Sequence, residues 1–545
     1  MQAWDYAIVG AGAAGCILAA RLSEEASARV LLLEAGEKSR SPMLSMPCGD
    51  TFFIGNPRYD WSFATEPDPT LNNRRLMIPR GRVLGGSNAI NGTIFVRGQR
   101  DDFDGWARSG AAGWSWDEVL PYFRKLEDWQ GGASGTRGAG GPIRVELPRQ
   151  REILCDTFIE AASQLGYRTN PDYNSGDLEG FGYYQCTHRG GRRVSVVDGY
   201  LEGARRSNLT TVTSAIVTGL RLDGRRCVGL NYIRDGRAHE VSVTREVILA
   251  AGVVCSPQLL ELSGIGNPAV LERAGIRVRH ALPSVGENFQ DHFAARLRWR
   301  VRQPVTFNER TRGLSLLREI ARYVFDRRGV LSMPIAVGFG FVRSSPSEPV
   351  PDLQFHFAPA SYGASSQRRL DDRPGMTVGV YPLRPESRGS IHVRSPNPTM
   401  PPAIQPRFLS EESDLRRLIA GMRIARQLVS AAAFEPYRGE ETRPGPELTS
   451  DEELRAHARA QGDTSFHPIG TCRMGSDANA VVDPRLRVHG LDGLRVIDAS
   501  VMPSMVSGNT QAAAMMIAEK GAAMIREDAV SPQREAFPGT NGAAA

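Results

Sequence analysis

Residues 5–15 read Asp5-Tyr6-Ala7-Ile8-Val9-Gly10-Ala11-Gly12-Ala13-Ala14-Gly15, and residues 30–34 read Val30-Leu31-Leu32-Leu33-Glu34. The apolar run 5–9 has the composition of a strand buried on both faces in a parallel sheet. Gly10, Gly12 and Gly15 follow at G-x-G-x-x-G spacing. That spacing supplies a tight turn, close backbone approach to a pyrophosphate and close packing of helix on strand. A helix is expected over 13–23, its first N–H groups free to receive phosphate charge. A second strand over 29–33 delivers Glu34, nineteen residues beyond Gly15, where a carboxylate can accept from ribose hydroxyls. The acid disfavours a ribose carrying a 2′-phosphate. The order strand, glycines, helix, strand, acid predicts a dinucleotide-binding unit.

Later segments extend that unit. Gly81-Arg82-Val83-Leu84-Gly85-Gly86-Ser87-Asn88-Ala89-Ile90-Asn91-Gly92 is a second glycine-rich loop. A strand over 246–250 leads into Ala250-Ala251-Gly252 and the stretch 256–266, and Leu494-Arg495-Val496-Ile497-Asp498-Ala499 closes the set. A nicotinamide enzyme needs one such mononucleotide-binding pair. A chain that returns this often reads as one wrapped around an extended FAD.

With these motifs the chain resembles the glucose–methanol–choline (GMC) oxidoreductases, and among them a choline-dehydrogenase-like bacterial branch. The resemblance runs over roughly residues 4–527. It rests on the 81–92 loop, the 252–266 segment, Val285 through His292, His467-Pro468-Ile469-Gly470-Thr471-Cys472-Arg473-Met474-Gly475 and Asp498 through Asn509, with Arg388-Gly389-Ser390-Ile391 and Pro402-Ala403-Ile404 in support. It implies an α/β protein with a Rossmann-type FAD-binding domain, non-contiguous in sequence, plus an α+β substrate domain with an antiparallel sheet. It also implies oxidation of an alcohol to a carbonyl. By motif match, Gly10, Gly12, Gly15 and Glu34 hold the ADP part; Gly85, Gly86, Ser87 and Asn91 line the flavin and pyrophosphate; Asp498 and Ala499 lie along the ribityl chain; His467 and Asn509 face the flavin on the substrate side. Some members attach FAD covalently through a histidine where this chain has Ile90, so non-covalent FAD is expected. Choline-oxidising members carry a glutamate in the substrate domain where a loose match puts Ala336, which disfavours choline.

The expected organisation is FAD-binding over 1–155, a substrate-domain excursion over 156–205, FAD-binding again over 206–295, substrate-binding over 296–464, a last FAD-binding part over 465–527 holding His467 and Asn509, and a disordered Pro/Gly/Ala-rich tail over 528–545. Residues 37–80 read as loops, 151–166 and 411–430 as helices, and 209–222 with 227–250 as a small antiparallel sheet. At 545 residues the chain is long enough for two or three domains, and 41% hydrophobic with 23% charged residues is ordinary globular composition. The net charge of +6 comes almost wholly from arginine, and no basic run is interleaved with aromatics, so a nucleic-acid partner is not expected. The seven cysteines are scattered and include no C-x-x-C, which predicts reduced thiols and a cytoplasmic setting. There is neither a leader-like start nor an apolar run of about 18 residues, so no transmembrane segment is expected. Peripheral membrane association stays open. No H-E-x-x-H or paired cysteines suggest a metal.

Alcohol oxidation removes a hydride from carbon and a proton from oxygen. Flavin N5 can take the hydride, and histidine is the natural base near neutral pH. His467 is the candidate base, with Pro468 restricting it to extended geometry. Asn509 is the candidate donor to the substrate oxygen, with Gln511 beside it as a further donor. His292 reads as a loop residue packed near the cofactor, His356 and His392 as sheet residues, and Cys472 as a small packing residue. The expected substrate is a small-molecule primary alcohol, and no motif specifies the electron acceptor. The alternatives are an oxidase that passes electrons to O2 and makes H2O2, a non-redox FAD-containing lyase, a fatty-acid photodecarboxylase and a non-enzymatic flavin binder.

Overall fold

The computed structural model describes residues 3–39, 41–203, 206–363 and 369–530. The opening strand, Trp4–Val9, lies between Val30–Leu33 and the C-terminal half of a long strand, Arg237–Leu249, all parallel. Leu494–Val496 pairs with Arg237–Leu249, and Leu209–Val212 adds to the outer side of Val30–Leu33. The registers place Val9 opposite both Leu33 and Leu249, and Leu249 opposite Val496. Four strands therefore end level with one another. The residues that follow them, Gly10, Glu34, Ala250 and the 497–498 pair, share one carboxyl edge, where open α/β sheets bind ligands.

The N-terminal half of Arg237–Leu249 continues into an antiparallel meander with Arg226–Arg234 and Ile216–Asp223. This corrects the reading of 209–222 as one strand of a separate small sheet. Leu209–Val212 turns off into the parallel array, and the meander is fused to that array through one thirteen-residue strand. Helix Ala13–Leu22 packs on the last helix, Gln511–Val530, and the Arg21 guanidinium pairs with buried Glu519 between them.

The second sheet is wholly antiparallel. Its order is Arg438–Arg443, Phe293–Val301, Gly375–Pro382, Leu353–Ala358, Gly338–Val342, Gly180–Tyr183. Helices Glu412–Ser430 and Ile153–Gln164 cover one face. Successive strand residues point to opposite faces. Phe355, Phe357, Val378 and Val380 accordingly enter the helix-covered core, while Gln354, His356 and Tyr381 point away from it.

Val196 and Tyr200, within the stretch expected as the substrate-domain excursion (156–205), pack in the first core. Helix Gln511–Val530 runs past 527, and the Asp528 carboxylate pairs with Arg485 and Arg495, so residues 528–530 are helix rather than tail. The rest of the expected tail, 531–545, lies outside the described residues. The 37–80 stretch is loop-rich as expected, with short helical turns at Pro42–Ser45, Pro47–Gly49 and Asp50–Phe53 and a two-stranded pairing of Phe63–Ala64 with Met77–Ile78.

Candidate active site

The first glycine loop is tight because its backbone leaves no room for side chains. A Cβ on Gly15 would lie 1.8 Å from the Gly10 carbonyl oxygen. The second glycine loop closes on the first: the Gly85 N–H donates to the Ala11 carbonyl, and a Cβ on Gly86, at φ +54°, would meet Gly12 Cα at 2.7 Å. Gly12 faces open ground instead: a Cβ added there would meet only Gly86 Cα, at 4.0 Å.

Glu34 closes the turn from below. Its two oxygens accept from the Ala11 and Gly36 N–H groups at 2.8 Å each, which leaves lone pairs for further donors. Burial pushes its pKa up to about 7, against those backbone donors and the Arg82 charge. Asp498 ties three segments together: it accepts from the Gly252 N–H at 2.9 Å, the Ser256 hydroxyl at 2.6 Å and the Ser500 N–H at 2.8 Å. Three of its four lone-pair positions are thus spent inside the protein. The Ala499 carbonyl accepts from the Gly470 N–H, which links this segment to the His467 loop. The Ser87 hydroxyl accepts from the Gly81 N–H and holds the second glycine loop shut.

Asn91 is bound on both sides. Its Nδ2–H donates to Gln511 Oε1, and its Oδ1 accepts from Arg193 Nη1 at 2.9 Å. Ile90 is buried in an apolar cluster with Phe53, Val83 and Ala89. Along the same edge two buried side-chain donors have no partner among the described residues: Asn88 Nδ2 and Gln511 Nε2. Unsatisfied buried donors are costly. Together with the open ground at Gly12, they fit a cofactor such as FAD, rich in phosphate oxygens and ring heteroatoms.

The polar pair is in direct contact. Asn509 Nδ2 lies 2.9 Å from His467 Nε2. Hydrogen positions follow from the surrounding network. His292 Nε2 lies 2.8 Å from the Leu383 carbonyl oxygen, which can only accept, so His292 carries its proton on Nε2 and presents a bare Nδ1. That Nδ1 lies 3.0 Å from His467 Nδ1, which must then be the donor. His467 is left with a lone pair on Nε2, aimed at Asn509.

The second sheet fixes the amide in turn. Gln354 Oε1 accepts from the Tyr381 hydroxyl at 2.6 Å, and Gln354 Nε2–H donates to Tyr184 at 2.7 Å and to Asn509 Oδ1 at 3.4 Å. With Oδ1 engaged, the Asn509 amide turns its N–H toward His467. His356 closes the ring, with Nε2 3.0 Å from Tyr381 and Nδ1 2.8 Å from Tyr184.

Several charges set the electrostatics. Burial holds His467 well below the ordinary imidazole value, reinforced by His292, His356 and Arg80. Burial likewise lowers His292 to about 4 and His356 to about 3. The His467 backbone N–H donates to Asp291 at 2.8 Å, and Phe466 before it adopts φ +65°, a left-handed conformation that is rare for a bulky residue. Such outliers cluster where a site is held in place by its surroundings.

The structure thus brings His467 and Asn509 together and gathers Gly10, Gly12, Gly15, Glu34, Gly85, Gly86, Ser87, Asn91, Asp498 and Ala499 along one edge. Sequence reasoning missed the direct contact of His292 with His467, the Gln354–Tyr184–Tyr381–His356 network and Arg193. Gln354 and His356 had left a signal, as polar residues alternating with Leu353, Phe355 and Phe357. Cys472 is fully buried, and burial drives its thiol far above the usual range, as suits a packing residue.

Comparison with known proteins agrees with this architecture. GMC oxidoreductase family profiles match residues 4–294 and 385–518. The chain is 41% identical to the human mitochondrial choline dehydrogenase over 96% of its length and 90% of the relative's. It is also 41% identical to an alcohol dehydrogenase [acceptor] of Pseudomonas putida, over 96% and 95%. Among solved structures, pyridoxine 4-oxidase from Mesorbium loti superposes with a TM-score of 0.88 at 32% identity, over 96% of this chain and 99% of that one. A formate oxidase of Aspergillus oryzae, studied for its FAD modification, superposes at 0.90 with 26% identity, over 97% and 98%. Among the described residues no helix is long and apolar enough to cross a membrane. The chain belongs to the GMC oxidoreductases and is an FAD-dependent enzyme acting on CH–OH donors.

Proposed function

We propose that this enzyme oxidises an uncharged primary alcohol to the aldehyde, with His467 as general base and Asn509 as the donor that positions the substrate oxygen. The observation that carries the reading is the 2.9 Å approach of Asn509 Nδ2 to His467 Nε2, two groups that can bracket one hydroxyl. FAD, when bound, supplies the hydride acceptor at its N5 atom. His467 Nε2 takes the hydroxyl proton, and the Asn509 amide donates to the same oxygen and fixes the C–H bond. The lowered pKa of His467 keeps Nε2 unprotonated at neutral pH. His292 accepts from Nδ1–H and steadies the imidazolium that forms.

We assign Gly10, Gly12, Gly15 and Glu34 to the ADP moiety, and Gly85, Gly86, Ser87 and Asn91 to the flavin and pyrophosphate. Asp498 would offer its last lone pair, and the backbone of 498–499 would hold the ribityl chain. The apolar side chain of Ile90 offers no covalent attachment, which supports non-covalent FAD. Ala336 packs on the apolar cluster of Ile94, Val96 and Phe339 and itself brings no carboxylate to a quaternary ammonium, which supports an uncharged substrate. The flavin unit on this reading comprises 1–155, 196–295 and 465–530, and the substrate unit 156–195 and 296–464, with the enzyme working in the cytoplasm.

His467→Ala tests the base. The variant should keep its FAD and lose flavin reduction by at least about a hundredfold under anaerobic mixing with alcohol. Reduction at the parent rate would remove His467 from the mechanism.

A further inference from the structure

Helix Gly313–Asp326 is built inside out. At about 100° per residue, Ile320, Val324, Leu317, Leu314 and Phe325 fall within one arc. All five are exposed, Leu314 to 84%, Phe325 to 83% and Leu317 to 61%. The opposite side faces the protein and carries Glu319 and Tyr323, both buried. Glu319 accepts from the Val330 N–H at 2.9 Å and pairs with Arg310 and Arg322. A surface helix normally turns its apolar stripe inward. Here the carboxylate is anchored inside and the stripe is left outside, so the orientation is held by specific contacts.

A continuous apolar stripe of this kind marks an interaction surface. Its charge names the partner. Residues 309–328 hold six arginines, Arg310, Arg312, Arg318, Arg322, Arg327 and Arg328, against three acids, one of them the buried Glu319. Arg318 borders the arc, and Arg312, Arg327 and Arg328 stand at its two ends. An apolar stripe edged by arginine is the pattern of a helix lying in a bilayer interface, with aliphatic stems in the acyl boundary and guanidinium heads on phosphate. A two-fold pairing of this face with a second copy would set arginine edges against one another.

The helix also stands close to the site. Val330–Ser332, just after it, packs on Pro47–Gly49. The Pro47 carbonyl accepts from Arg193, the residue that holds Asn91. On that adjoining stretch Met43 and Phe52 are exposed as well.

We propose that the exposed face of helix Gly313–Asp326 docks on an anionic lipid bilayer, with Leu314, Leu317, Val324 and Phe325 in the acyl boundary and the arginines on lipid phosphates. The proposal stands independently of the alcohol and of the base. The test is co-sedimentation of the flavin-loaded full chain with phosphatidylcholine vesicles, with and without phosphatidylglycerol. The parent should sediment with the anionic vesicles and be released by salt. A Leu317→Glu, Phe325→Glu double variant should bind at least about tenfold more weakly, with its flavin absorbance and its turnover of a water-soluble alcohol unchanged. A parent that stays in the supernatant, or a double variant that binds like the parent, overturns the proposal. So does a parent dimer that the same substitutions split, since a second copy would then cover the face.

Discussion

Replacing His292 by phenylalanine isolates the tautomer argument. The ring of His292 stacks on Tyr381 at 4.6 Å between centroids, and phenylalanine keeps a ring there. What it removes is the acceptor 3.0 Å from His467 Nδ1. His467 Nδ1–H then has no partner, and the proton can move to Nε2, where it would face the Asn509 amide as donor against donor. On the proposed mechanism His467 becomes an imidazolium, and a hydrogen bond to a charged group contributes about 1.5–3 kcal/mol. At about 1.4 kcal/mol per factor of ten, flavin reduction should slow by roughly tenfold to 150-fold. The assay is anaerobic stopped-flow reduction of FAD-loaded protein by a saturating alcohol. His292→Asn is the control, because its Oδ1 can stand near the place of Nδ1 and accept again; it should recover most of the rate. The Leu383 carbonyl loses its donor in both variants, so that loss cancels in the comparison. Reduction by His292→Phe at the parent rate, or equal loss in both variants, would refute the idea that His292 sets the tautomer.

Three further outcomes follow from the same structure. Because His467 lies well below the ordinary imidazole value, the reduction rate should hold its plateau as pH falls through about 6.5, the acid limb appearing only lower; a midpoint above 7 in anaerobic rate–pH data would contradict this. His392 is carried up to about 9: burial pulls it down, but hydrogen bonds to Glu261 and Glu287 outweigh that. Its contribution to stability is complete below the unfolded value of about 6.5 and is lost as pH rises through 9. Burial also raises Glu261, so the pair nets less than the histidine alone implies, on the order of 1–2 kcal/mol. His392→Gln should therefore melt below the parent at pH 6 and level with it above about pH 9.5, and a constant gap would sink the assignment. Gly15→Ala puts a Cβ 1.8 Å from the Gly10 carbonyl oxygen, a backbone atom that cannot yield without opening the turn; purified protein should lack the flavin absorbance, and full FAD occupancy would show that the turn has slack.

The nucleotide edge was legible because its determinants are local. Gly10, Gly12 and Gly15 shape one strand–turn–helix–strand unit in which the Glu34 carboxylate accepts from the turn, and spacing alone reports that arrangement. His467 and Asn509 were legible only through motif resemblance, since nothing in their neighbours says that residues 42 apart converge. The Gln354 network was hidden further. Its alternation with Phe355 and Phe357 tells which side of the sheet it faces, but not that this side faces Asn509. Leu209–Val212 misled because an alternating run specifies a strand without specifying its partner. Helix Gly313–Asp326 escaped for a related reason: periodicity finds an apolar stripe and cannot say whether the stripe is turned inward.

The two halves of the His467–Asn509 pair are held by different parts of the molecule. His467 is held by Asp291 and His292, the residues that lead into the first long strand of the antiparallel sheet. Asn509 is held by Gln354, from the middle of that sheet. Both residues, however, sit on segments anchored to the parallel sheet, through Gly470 to Ala499 on one side and through helix Gln511–Val530 on the other. The 2.9 Å approach of the pair is therefore a property of how the two sheets dock. A small relative displacement would change the tautomer partner of the base and the amide orientation of the donor together. Substitutions that loosen the contact between the sheets should for that reason slow flavin reduction before they lower FAD content, because Glu34 and Asp498 are tied to backbone groups at the strand ends of the parallel sheet.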